Sequence, residues 1–261
     1  MNADDSDAAA ALLWKTWDSG AVVAELPAAM RPATRAEGYA IQARLERRSA
    51  RPLFGWKIAA TSRAGQAHIN VDGPLAGRLL AERCFESGAT IPLGANRMRV
   101  VEPEFAFRMA QDLPPRAQPY TVDEVLAAVA TLHPALEIPD SRYADFTRVG
   151  AAQLIADDAC AHLFVLGQAT AASWRGIDLA RHRVQAVVAG RLEREGVGAN
   201  VLEDPRLALT WLANELSGIG ATLTAGQVVT TGTCCVPLEI APGDAVRADY
   251  GVLGEVGLRF G

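Results

Sequence analysis

The feature that most constrains this chain is a change of hydrophobic period near residue 53. Up to about Arg48 the apolar residues recur at helical spacing; beyond Pro52 they alternate with period two. Asp7 to Asp18 is rich in Ala and Leu and ends at Gly20, a natural stop for a helix. Thr34-Arg35-Ala36-Glu37 has the spacing of a capping box, and Ile41 and Leu45 share one face of the helix it opens. Phe54–Ala60, Val100–Met109, Ala135–Ile138, Val184–Ala189, Gln227–Thr231, Ala245–Tyr250 and Glu255–Phe260 alternate as strands. Two further helices interrupt them. Thr121-Val122-Asp123-Glu124 is a second capping box ahead of Val125, Leu126, Val129 and Leu132, and Asp204-Pro205 starts a helix carrying Leu207, Trp211, Leu212 and Leu216. Strands and helices do not alternate regularly, so the pattern predicts an irregular α+β fold rather than a doubly wound sheet. The expected organisation is a helical portion over residues 1–52 and a β-rich domain over 53–261.

Composition removes several function classes. With 25 Lys and Arg against 30 Asp and Glu, the net charge of −5 supplies no basic face for nucleic acid. No apolar run approaches the length needed to span a bilayer. Met1–Asp7 is acidic and lacks the basic start of a secretory signal. The four cysteines, Cys84, Cys160, Cys234 and Cys235, have neither CxxC spacing nor disulfide-scaffold density. A reducing cytoplasm is the expected compartment, and the vicinal pair reads as two small buried residues. Glycine-rich phosphate loops, HExxH and GxSxG are all absent, and four scattered histidines make no zinc site.

Chemistry therefore falls to carboxylates and a lysine. In Val101-Glu102-Pro103-Glu104-Phe105-Ala106-Phe107 a strand places both acids on one face and both phenylalanines on the other. Two carboxylates so close repel unless a cation or water screens them, and oxygen ligands suit Mg²⁺ or Mn²⁺. A solvated acidic edge is the other reading, and Pro103, which cannot donate to a ladder, predicts an edge or a mouth. Glu137 is a lone acid between Leu136 and Ile138; a metal explains it, as does an ion pair to Arg142 or a lysine. Lys57, between Trp56 and Ile58, has small neighbours that leave room for an anionic ligand; a lysine on a solvated strand face fits equally. Gly232 either lets backbone approach a substrate or ends a strand, and Asp157-Asp158 reads as the start of a helix.

Together the ordered segments Tyr39-Ala40-Ile41-Gln42, Gly55-Trp56-Lys57-Ile58-Ala59-Ala60-Thr61, Val71-Asp72-Gly73-Pro74, Glu102-Pro103-Glu104, Pro134–Arg142, Gly226–Gly232 and Pro242-Gly243-Asp244 are more specific than any alone. The chain resembles the 2-keto-4-pentenoate hydratase family of the fumarylacetoacetase-like superfamily, from about Arg35 to the C-terminus. The resemblance implies helices followed by a mixed β-sandwich roll. It also implies a divalent ion, Mg²⁺ or Mn²⁺, on Glu102, Glu104 and Glu137, with Lys57 in the active site. Leu75, Cys160, Thr231 and Gly232 match positions around the substrate. The implied reaction adds water to a 2-hydroxy-2,4-dienoate, such as 2-hydroxypenta-2,4-dienoate, in aromatic catabolism; a 4-oxalocrotonate-type decarboxylase is the enzymatic alternative. Homo-oligomers are implied as well. Many hydratases carry an acid where this chain has Leu75, and a serine where it has Cys160. Those two departures sustain a third reading, a non-catalytic partner subunit of another enzyme in the pathway.

Overall fold

The computed structural model describes residues 1–261. Its N-terminal part contributes α1 (Ala3–Ser19), α2 (Arg35–Glu46) and β1 (Gly55–Ala59). Next come α3 (Arg63–His68), β2 (Leu75–Leu79), β3 (Cys84–Glu86) and β4 (Thr90–Ile91). The long strands β5 (Val100–Met109) and β6 (Val129–Ile138) are connected through α4 (Val122–Ala127). After α5 (Ala151–Ala156) and β7 (Leu163–Leu166), β8 (Arg183–Val188) and β9 (Leu192–Val197) form a hairpin. The chain ends with α6 (Pro205–Gly218), β10 (Val228–Thr233), β11 (Leu238–Glu239), β12 (Ala245–Asp249) and β13 (Glu255–Phe260).

The strands form two sheets. The larger runs β2-β1-β10-β5-β6-β7-β3, with β11 extending the β10 side of β5; the smaller runs β4-β13-β12-β8-β9. Parallel pairs (β1 with β10, β3 with β7) occur beside antiparallel ones, as a mixed roll requires. The principal core joins the two sheets: Phe105, Phe107, Leu132 and Leu136 from the larger, Val184, Val188, Val246, Val256 and Phe260 from the smaller. A second apolar cluster unites α1 and α2 (Ala9, Leu13, Ile41, Leu45) with Tyr143 and Ala156. No helix is long and apolar enough to cross a membrane.

The capping signals operate, with corrections. α1 starts earlier than its Ala-rich stretch suggests, because the Asn2 side chain accepts from Asp5 N. Thr34 caps α2, yet the Glu37 carboxylate takes the amide of Ala33 and the terminal amine of Met1 instead of returning to Thr34. The Thr121–Glu124 box is complete, but α4 stops at Ala127, and Val129 and Leu132 belong to β6. That strand carries partners on both sides, so sheet pairing overrides the helical spacing. Asp157 and Asp158 follow a helix instead of starting one. Both are fully buried, Asp157 against the Arg142 guanidinium and Asp158 against the backbone of Arg78.

Trp17 Nε1 donates to His162 Nδ1 at 2.8 Å. Burial, reinforced by the positive charges of Arg142 and Arg83, pushes the His162 pKa down to about 3. The unfolded chain takes up a proton at this histidine below about pH 6.5 while the folded one does not, so the stability is present above that pH and lost below it. Relative to a His162→Gln variant, the wild-type Tm should fall as pH drops from 6.5 towards 4.5. Glutamine at 162 keeps an acceptor for Trp17 without the titration, and should spare about 2–3 kcal/mol at pH 4.5.

Candidate active site

Strand register assembles the site. Glu102 lies directly opposite Glu137 across the β5–β6 pair, and Glu104 follows two residues along on the same face. A one-residue slip would send Glu137 to the opposite face. On the other flank Lys57 of β1 faces Thr230 of β10, which in turn faces Ala106 of β5. Paired residues share a face, so Lys57, Thr230 and the three acids converge. The opposite face carries Trp56, Ile58, Phe105 and Phe107 into the core.

Pro103 is at neither edge: β5 is a central strand. The Pro103 carbonyl accepts from Cys234 N where β10 gives way to β11, so the absent amide falls at a break in the ladder. The register of β10 shifts between Thr230 and Thr233. Gly232 sits in that bulge at φ +98°, and its amide donates to Glu104 Oε2 at 2.7 Å. A Cβ on it would lie 2.1 Å from Thr61 Oγ1. Gly232→Ala is therefore expected to destabilise the fold by about 2–4 kcal/mol and to weaken metal binding by loosening Glu104, measured by denaturant unfolding and metal titration.

Glu104 is completely buried. Its Oε2 also accepts from the Thr230 hydroxyl, while Oε1 has no partner. Glu137 is buried too; Lys57 Nζ stands 3.0 Å from its Oε1 as an ion pair, but neither of its oxygens receives an aligned hydrogen bond. Glu102 is partly exposed and supplies the open side. The ligand atoms of the three acids lie within 4.8 Å of one another. Burial first, and repulsion from Glu137 next, raise the Glu102 pKa to about 7; the same causes hold Glu104 well above the ordinary carboxylate range. Like charges directly opposed across strands are destabilising, and unpaired buried carboxylate oxygens cost more. A hard divalent cation removes both penalties, so the donor set fits Mg²⁺ or Mn²⁺.

Lys57 is buried and donates to the carbonyl of Ala159 at 2.9 Å. Burial opposes its charge, but Glu137, Glu102, Cys160 and Glu104 together lift its pKa above the usual lysine value. It is a fixed ammonium, and the solvated-face alternative is excluded. Arg142, the other candidate partner for Glu137, pairs with Asp157. Cys160 is buried close enough to Lys57 for each to influence the other, and burial pushes its thiol up to about 12. Leu75 is enclosed in the core, paired with Ala59 at the end of β1. Thr231 Oγ1 donates to the Phe105 carbonyl, whereas its neighbour Thr230 reaches Glu104. Thr230 was not distinguishable from Thr231 by composition; its register with Lys57 is the distinguishing signal. The vicinal cysteines are both buried free thiols.

Comparison with known proteins agrees with this geometry. The profile of the fumarylacetoacetate (FAA) hydrolase C-terminal family matches residues 78–260. The chain belongs to that family. It is 34% identical over 263 residues to a 2-keto-4-pentenoate hydratase of Paraburkholderia xenovorans (strain LB400), covering all of this chain and 96% of that protein. It is 32% identical to a 4-oxalocrotonate decarboxylase of a Pseudomonas species, over 87% of this chain and 85% of the relative. Among solved structures, the 4-oxalocrotonate decarboxylase of Pseudomonas putida G7, complexed with magnesium and adipate, superposes with a TM-score of 0.90. That match has 26% identity and covers 100% of this chain and 98% of the other.

Proposed function

We propose that this family member is a metal-dependent hydratase that adds water to a small 2-hydroxy-2,4-dienoate, giving a 4-hydroxy-2-oxo acid. The observation that carries the reading is the triad of Glu102, Glu104 and Glu137, the last two with unpaired buried oxygens, set beside a fixed ammonium. The three acids would hold Mg²⁺ or Mn²⁺, which when bound supplies positive charge for the adjacent carboxylate and C2 oxygens of such a substrate. Lys57 pairs with Glu137 and, with its pKa raised, acts as a cationic hydrogen-bond donor rather than as a base. The Cys160 thiol stays protonated at neutral pH, and in this reading it lines the substrate side of Lys57. Leu75 stays enclosed in the core, and Thr231 and Gly232 contribute backbone at the end of β10. Partly exposed Glu102 marks the side from which substrate and water enter.

Decarboxylation of a 4-oxalocrotonate-like dicarboxylate is the second reading, favoured by the full-length likeness to a decarboxylase and by Leu75 in place of an acid. Product mass separates the two. A monocarboxylic dienol that gains one water supports hydration; carbon dioxide released from the dicarboxylate, with no hydration of the dienol, replaces it with decarboxylation. The same reading makes the protein a cytoplasmic homo-oligomer, which sedimentation of the purified chain tests.

A further inference from the structure

Lys57 has a long side chain whose ammonium could occupy many positions, yet it is fixed between Glu137 and one carbonyl, that of Ala159. That carbonyl belongs to an unusual segment. Asp158, Ala159 and Cys160 have φ of +57°, +50° and +62°, three consecutive non-glycine residues in the left-handed region. Such a run is disfavoured for L-residues and persists only where the surroundings over-determine it.

Several contacts do so, among them Asp140 N donating to Cys160 O at 3.0 Å. At its start Arg142 bonds the carbonyl of Asp157, and beyond its end the same guanidinium donates to Ala161 O at 2.7 Å. Among the run's own side chains, Asp158 makes the hydrogen bond that ties it elsewhere: its Oδ1 accepts from Arg78 N at 2.6 Å. Arg78 follows Gly77, the residue of β2 directly opposite Lys57. Gly77 has no room for a side chain: a Cβ there would lie 2.3 Å from the Asp158 carbonyl and 2.9 Å from Lys57 Cδ. The Asp158 Oδ2 atom is buried without a partner, so this acid is costly to retain. Its one evident return is the tie to β2. The helical portion reinforces that tie, since Gln42 of α2 donates to Ala76 O and to Ile155 O on the two sides of the junction.

We infer that Asp158 is a positioning residue for Lys57: by anchoring the left-handed run to Arg78 N it aims the Ala159 carbonyl at the ammonium. The inference deepens the hydratase reading and rests on it for the kinetic arm only.

Asp158→Gly tests it, because glycine adopts the left-handed conformation freely while lacking the anchoring oxygen. The crystal structure of this variant is expected to show Ala159 O beyond hydrogen-bond distance of Lys57 Nζ. Its kcat should fall about 100-fold with KM changed by less than about threefold, as for a catalytic group displaced by about 1 Å. Asp158→Asn retains Oδ1 and tolerates the conformation, so it should restore both the contact and the rate. Wild-type kcat in Asp158→Gly, an unmoved Ala159 carbonyl, or a loss in Asp158→Asn as large as in Asp158→Gly each overturns the inference. Should Asp158→Gly not fold, Gly77→Ala presses on the neighbouring Asp158 carbonyl from β2 and must lower kcat similarly, wild-type kcat again overturning it. If the wild-type protein turns over no dienoate, the hydratase reading fails and the crystallographic arm alone decides this inference.

Discussion

Glu104→Gln is expected to weaken Mg²⁺ or Mn²⁺ binding at least 100-fold and to lower kcat/KM by 1,000-fold or more, without lowering the Tm of the metal-free protein. Glutamine preserves the acceptor for Thr230 and Gly232, so the local fold has no reason to change. What disappears is one negative charge among three, in a place where burial and its neighbours already oppose ionisation. Metal affinity depends on that charge, whereas the empty cluster is relieved by its loss. Isothermal titration, steady-state kinetics and calorimetry on one variant read the three quantities. A large fall in Tm, or undiminished metal binding, contradicts the assignment. A purely structural acid behaves in the opposite way, since its removal costs stability first.

Lys57→Met is expected to act on both function and stability. Methionine has nearly the length of the lysine stem but no charge, so Glu137 loses its only ion-pair partner in a buried setting. About 3–5 kcal/mol of stability should be lost in the metal-free protein at neutral pH. Mg²⁺ should recover part of that loss, because a divalent ion replaces the missing positive charge. Turnover should fall by about 1,000-fold with metal saturating, the effect of deleting a preorganised charge from a dry site. Denaturant unfolding with and without Mg²⁺, followed by kinetics at saturating metal, measures both. Wild-type turnover by fully folded, Mg²⁺-saturated Lys57→Met would remove the lysine from the chemistry.

Much of this site could be read before the fold was known, and the reasons are local. Glu102 and Glu104 are two residues apart in one strand, so period two alone puts them on one face. Glu137 and Lys57 were recognisable as charges inside apolar strands, but only register brings them to the other acids. Of the readings offered for Glu137, the ion pair is made with Lys57 rather than Arg142, and the acid triad it joins could hold a metal ion. What sequence could not supply was long-range pairing. β2 and β7 have little alternation because they are buried throughout, and β7 lies beside β6 only in the assembled sheet. Asp157-Asp158 looked like a cap since acids commonly start helices. Their actual partners, Arg142 and Arg78, are 15 and 80 residues away. Pro103 looked like an edge residue because a break within a central ladder leaves the same mark on the sequence. In α4 the apolar spacing continued past the helix, and only the demand of β5 for a partner ended it at Ala127.

The most direct measurement is turnover of freshly generated 2-hydroxypenta-2,4-dienoate by chelator-stripped protein, followed in the ultraviolet while Mg²⁺ or Mn²⁺ is titrated back. The account predicts no loss of the dienol above its spontaneous rate without metal. It predicts saturable loss, with a product one water heavier, as metal is restored. Full activity in the presence of excess chelator, or none at saturating metal with a folded protein, would contradict it.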